Sequence, residues 1–134
     1  MGTPPGAPRP CLLGLGIDAV EVDRFRQVLV RTPGVAQRLF TEEERAYGVR
    51  FSDPAPRLAA RFAAKEAAMK ALGVGLGAFP FHDVEVMRAP SGAPSLRLSG
   101  KAAALAAERG ATAFRLSITH TDRTAEAVVA ALGP

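Results

Sequence analysis

Within residues 57–73, Arg61, Lys65, Glu66 and Lys70 stand among alanines and large apolar residues. The stretch reads as a helix. At ~100° per residue, Leu58, Phe62, Met69 and Leu72 form one stripe, while Ala60, Ala64, Ala67 and Ala71 form a separate face of small residues. Lys65 falls inside the stripe, Glu66 and Lys70 on one border and Arg61 on the other. Glu66 and Lys70 have the i,i+4 order that stabilises a helix by ~0.2–0.5 kcal/mol, and a lysine stem can snorkel along apolar surface. Solvation alone does not explain charges placed this way. They belong either to a structural network or to a site that handles anions, cations or protons.

A third carboxylate ends the apolar run Cys11-Leu12-Leu13-Gly14-Leu15-Gly16-Ile17-Asp18, which reads as a largely buried strand over 11–18. Asp18 either caps a helix expected over 20–29, with Glu21 completing a capping box, or serves as a metal ligand at a strand-to-helix turn. The two uses compete for the same oxygens. Downstream, Gly73-Val74-Gly75-Leu76-Gly77 provides either a left-handed helix cap or a backbone that a ligand can approach closely. In the strand expected over 113–120, Ser117 and Thr119 share one face with Thr121 beyond it. His120 joins Phe114, Leu116 and Ile118 on the other. His120 is either a satisfied structural residue or part of a site at the strand end. Thr119 and Thr121 carry hydroxyls of the kind that bind phosphate.

These residues need elements to carry them. A chain of 134 residues supports one domain with one core, expected over 11–134 behind a flexible Pro/Gly-rich arm at 1–10. Thr41-Glu42-Glu43-Glu44 opens a short helix through Tyr47 with a capping box, and Pro54 and Pro56 precede the long helix. Alternating segments at 83–87 and 95–98 form a hairpin around Pro90-Ser91-Gly92-Ala93-Pro94. A helix at 99–109 ends at Gly110, and strands at 113–120 and 125–132 follow. The layout is α+β, a mostly antiparallel sheet packed with a long central helix. Much of the hydrophobicity is alanine, so close packing or subunit association completes the burial, with the Ala60/Ala64/Ala67/Ala71 face as the contact.

The net charge of +4 favours phosphate groups or an acidic partner. The arginines are scattered, there is one Tyr and no Trp, and no basic run occurs, which argues against nucleic acid. No apolar run approaches the ~20 residues that span a bilayer. The single Cys11 forms no internal disulfide, and no secretory signal precedes it, so a cytoplasmic address is expected.

In order along the chain, Gly14-Leu15-Gly16-Ile17-Asp18, Arg61-Phe62-Ala63-Ala64-Lys65-Glu66-Ala67, Gly73-Val74-Gly75 and Ser117-Ile118-Thr119-His120-Thr121 resemble the holo-acyl-carrier-protein synthases. These are the small phosphopantetheinyl transferases, and the resemblance runs from about residue 12 to about residue 132. It implies transfer of the phosphopantetheine arm of coenzyme A to a serine of an apo acyl carrier protein, with release of adenosine 3',5'-bisphosphate. By the same resemblance, Asp18 and Glu66 bind Mg²⁺, and Lys70 stabilises the leaving oxygen. A metal-held water or Glu66 takes the serine proton. Arg61, Gly73, Gly75, His120 and Thr121 contact coenzyme A, His120 and Thr121 from a neighbouring subunit of a homotrimer. Arg24 meets the acidic carrier. Val74 stands where the family's commonest residue is threonine, which removes a hydroxyl contact. Two alternatives are the same chemistry on a polyketide or peptidyl carrier, and a non-catalytic nucleotide-binding assembly protein; joint retention of Asp18, Glu66 and Lys70 argues against the second.

Overall fold

The computed structural model describes residues 5, 6 and 9–134, so the arm expected over 1–10 falls mostly outside the described residues. The order is β1 (Cys11–Glu21), α1 (Val22–Arg31), α2 (Val35–Leu39), α3 (Glu42–Gly48), α4 (Ala55–Ala71), a 3₁₀ turn (Phe81–Asp83), β2 (Val84–Arg88), β3 (Pro94–Leu98), α5 (Gly100–Glu108), β4 (Ala113–His120) and β5 (Thr124–Gly133). The fold is α+β and all strand pairs are antiparallel. β5 lies between β1 and β4 in a three-stranded sheet, while β2 and β3 form a separate hairpin. The short α2 was not expected from sequence, because five residues between Gly34 and Phe40 are too few for a helical period to show.

Helix α4 is the column on which the rest is assembled. It packs against β1, β5, α1, α3, β2 and β4, and most of its seventeen residues are buried. Its N-terminal half joins Val22, Phe25 and Phe40 in one apolar cluster. Its C-terminal half joins Val84, Val86, Val129 and Ala131 in another. Phe62 stacks on Phe25 with ring centroids 5.4 Å apart.

The alanine face does not wait for another subunit. Ala60, Ala64, Ala67 and Ala71 are all 6% exposed or less, covered by the chain's own sheet. The reason lies in β1, where a Cβ on Gly14 would run into the carbonyl oxygen of Ala71 and one on Gly16 into that of Ala67. Strand and helix backbones therefore touch, which requires glycine on one side and alanine on the other.

Nor is β1 buried on both faces. Leu15 and Ile17 are 61% and 62% exposed, and with Val128 of β5 they leave the outer face of the sheet apolar and open. The strand also runs three residues past the expected end, pairing through Glu21 with Thr124. Helix α1 then starts at Val22 with no side-chain cap. Asp18 is thus not an N-cap, and its oxygens are available for other work.

Gly16→Ala is expected to destabilise the chain by about 3 kcal/mol, the upper end of overpacking costs, because the obstructing atom is backbone and cannot rotate away. Urea unfolding measures this; an unchanged midpoint would contradict the close approach.

Candidate active site

The contact of β1 with α4 brings Asp18 beside the exposed border of the helix. Lys70 Nζ donates to Asp18 Oδ1 at 3.2 Å and to the Ile17 carbonyl at 2.9 Å. Glu66, one turn earlier, is partly buried. Its burial, and then the negative charge of Asp18, raise its pKa above the ordinary glutamate value, while Lys70 opposes the rise. Two carboxylates, one raised by the charge of the other and that other paired with a lysine, form a donor set suited to a hard cation. Magnesium uses few protein carboxylates and fills its remaining positions with water and phosphate oxygens. Among the described residues no third His, Cys, Asp or Glu joins the pair.

A second constellation lies on another side of α4. Arg61 and Glu66 are five positions apart, so their side chains leave the helix ~140° apart. Arg61 is buried, its guanidinium 4.0 Å from the centroid of the Tyr47 ring. Its Nη1 donates to the Arg57 carbonyl at 3.5 Å, its Nε has no partner among the described residues, and burial holds its pKa below the usual arginine value. Arg88 Nη1 donates to the Tyr47 hydroxyl at 2.5 Å, Arg50 lies 5.9 Å from the same ring, and Arg57 covers Phe51 at 3.5 Å. Among the described residues, none of these four arginines has a carboxylate within ion-pair distance. Tyr47, Arg57, Arg61, Arg88 and His120 line a recess of about 350 Å³, which adjoins a groove of about 830 Å³ between α3 and the β2–β3 hairpin. Unpaired cations around an orphaned buried donor are what an anion site requires.

The residues predicted from sequence therefore divide. Asp18, Glu66 and Lys70 converge; Arg61 and His120 converge elsewhere, with His120 exposed at the end of β4. Thr121 sits in the turn beyond, where its hydroxyl oxygen accepts from the backbone N–H groups of Arg123 and Thr124 at 3.1 Å. Gly73 adopts φ +73° and closes α4, with Val74 N–H donating to Met69 and Gly73 N–H to Lys70. That is a Schellman cap, so the capping use of Gly73 is the one realised. Gly75 faces open space. Arg24 projects from α1, largely exposed, with only a 4.0 Å contact to Glu21.

Sequence reasoning missed Tyr47, Arg57 and Arg88 because they meet only through the fold. It also left open whether Lys65 snorkels or joins a structural network, and the network is what forms. Lys65 is fully buried, 2.7 Å from Glu44, which is buried too. It donates to the Phe81 carbonyl at 3.0 Å and the Val84 carbonyl at 2.5 Å. Desolvation holds its pKa below the usual lysine value against the attraction of Glu44.

Residues 14–130 match the family model of the 4'-phosphopantetheinyl transferase superfamily. The chain belongs to this superfamily. It is 49% identical over 120 residues to a holo-[acyl-carrier-protein] synthase of Frankia casuarinae, covering 90% of this chain and 97% of that one. Among solved structures, the holo-ACP synthase of Plasmodium yoelii is similar at a TM-score of 0.84 and 26% identity, over 95% of this chain and 99% of its own. The Bacillus anthracis holo-(acyl-carrier-protein) synthase in complex with coenzyme A (3',5'-ADP) has a TM-score of 0.77 at 32% identity, over 92% and 98%.

The raised pKa of Glu66 fixes a sign. A carboxyl with a folded pKa above its unfolded value favours the fold below the unfolded pKa, and that contribution is lost as pH rises through the folded pKa. Without divalent cation, Glu66→Gln should therefore be more stable than wild type at neutral pH, with the advantage vanishing below the ordinary glutamate range. Thermal unfolding in chelator at both pH values tests this, and an equal or lower neutral-pH midpoint for the variant would contradict it.

Proposed function

We propose that this protein transfers the 4'-phosphopantetheine arm of coenzyme A to a serine hydroxyl of an apo acyl carrier protein, releasing adenosine 3',5'-bisphosphate. The observation that carries the proposal is the convergence of Asp18, Glu66 and Lys70 in a chain so similar to proteins named for that reaction. The serine hydroxyl gives up its proton to Glu66 or to a water, and its oxygen bonds to phosphorus as the bond from phosphorus to the bisphosphate oxygen breaks. Charge therefore builds on the leaving oxygen, and catalysis consists largely of positioning and charge stabilisation.

Asp18 and Glu66 would hold Mg²⁺, which when bound supplies positive charge to the pyrophosphate oxygens and relieves the repulsion between the two carboxylates. Lys70, already beside Asp18, supplies a second positive charge for the departing oxygen. The recess at Tyr47 receives the phosphates of the nucleotide end. Arg61 and His120 do this together with Arg57 and Arg88, which carry no competing carboxylate. Thr121, next to His120 in the turn after β4, supplies a hydroxyl for the same ligand, and the open backbone at Gly75 leaves the loop after α4 accessible to the ligand chain.

Because Arg61 and Glu66 leave α4 in different directions, one copy's recess serves another copy's carboxylates. The outer sheet face, with Leu15, Ile17 and Val128 exposed in the single chain, suits that association as a homotrimer. Arg24 on α1 stays exposed for an acidic carrier, and the net charge of +4 steers its approach.

Incubating the protein with coenzyme A, Mg²⁺ and apo carriers of the fatty-acid, polyketide and peptidyl types, and weighing the products, tests the reaction. At least one carrier should gain the phosphopantetheine mass, and Glu66→Gln should lose ~10²-fold or more of that rate. No modification of any carrier would refute the proposal. In light scattering the wild type should have three times the chain mass and Leu15→Glu the mass of one chain; a monomeric wild type would refute the shared site.

A further inference from the structure

Lys65 and Glu44 are the two fully buried opposite charges of the molecule among the described residues, and neither faces the carboxylate pair. All three ammonium hydrogens of Lys65 are engaged, by Glu44 Oε1 and the carbonyls of Phe81 and Val84. Glu44 Oε1 also accepts from Thr41 N–H at 2.9 Å, and Oε2 from Val86 N–H at 3.0 Å. With its hydrogens committed in this way, Lys65 has none to offer a substrate. The pair instead joins three elements, α4, α3 and β2.

Each joined residue lies one structural step from a side chain of the arginine recess. Lys65 is one helical turn from Arg61 on α4, Glu44 one turn from Tyr47 on α3, and Val86 two residues from Arg88 on the same face of β2. We infer that the Glu44–Lys65 pair is a positioning device that sets the separation of Arg61, Tyr47 and Arg88, and with it the affinity of the recess for its anion. The carboxylate pair is held differently, by the contact of Gly14 and Gly16 with Ala71 and Ala67. Loosening the buried pair should therefore change anion binding without dismantling Asp18, Glu66 and Lys70. This rests on the coenzyme A reading of the site.

The test combines Glu44→Gln with Lys65→Met, which removes both charges and the bond from Lys65 to the Val84 carbonyl of β2, and leaves one amide oxygen that can accept from only one of the Thr41 and Val86 N–H groups. Calorimetry with adenosine 3',5'-bisphosphate should show binding weaker by about tenfold or more, the scale that ångström misplacement produces. The KM for coenzyme A should rise in parallel, with kcat at saturation largely retained. Wild-type affinity and KM in the folded double variant would overturn the inference alone. Failure of the wild type to bind the bisphosphate would overturn the coenzyme A reading, and the inference with it. If the double variant does not fold by circular dichroism, Glu44→Asp, which keeps both charges but shortens the tie by one methylene, is judged by the same two measurements.

Discussion

The contact of strand β1 with helix α4, backbone against backbone, is the constraint on which the site depends. Gly14 and Gly16 have no Cβ to hold the strand away from the carbonyls of Ala71 and Ala67, and the alanines have no longer side chain to hold the helix away from the strand. Asp18, two residues beyond Gly16 on the same face, is carried to within reach of Lys70 and into the field of Glu66. A side chain of any size at this seam would separate two carboxylates whose value lies in being close enough to repel.

The same helix shows how one element can hold charges of different purpose. Lys65 is spent inside the protein, its charge met by Glu44 and its hydrogens by backbone carbonyls. A buried pair of this kind is a weak source of stability because desolvation opposes its attraction. Its three-way geometry is better understood as fixing where α3, α4 and β2 stand. Arg61 keeps an unpartnered nitrogen in a recess without acid, and Glu66 and Lys70 stay at the border beside Asp18.

Much of this was legible in the chain. The capping box at Thr41 and Glu44 forms as its spacing says, and β4 spans its expected residues. What could not be read was long-range. One of the two readings of Asp18 was an N-cap, because local rules favour Asp before a helix, but pairing with β5 carries the strand on to Glu21 and moves the helix start. The alanine face was left between packing within the chain and association with another subunit, because the glycines that let the sheet cover it lie some fifty residues earlier. Lys65 had no visible partner because Glu44 belongs to a separate helix, where its role as a cap conceals that it is also buried. Tyr47 and the arginines around it come from α3, α4 and β2, so no window of sequence contains them together.

The central claim is that α4 presents Arg61 and Glu66 to one reaction through two copies of the chain, each copy lending its recess to the carboxylates of another. Co-expressing Arg61→Met with Glu66→Gln and assaying the mixed oligomers tests it most directly. Each variant alone should be nearly inactive, and mixing should restore a substantial fraction of wild-type turnover, because some hybrid sites join an intact recess to an intact carboxylate pair. Mixed oligomers no more active than either parent would contradict the claim.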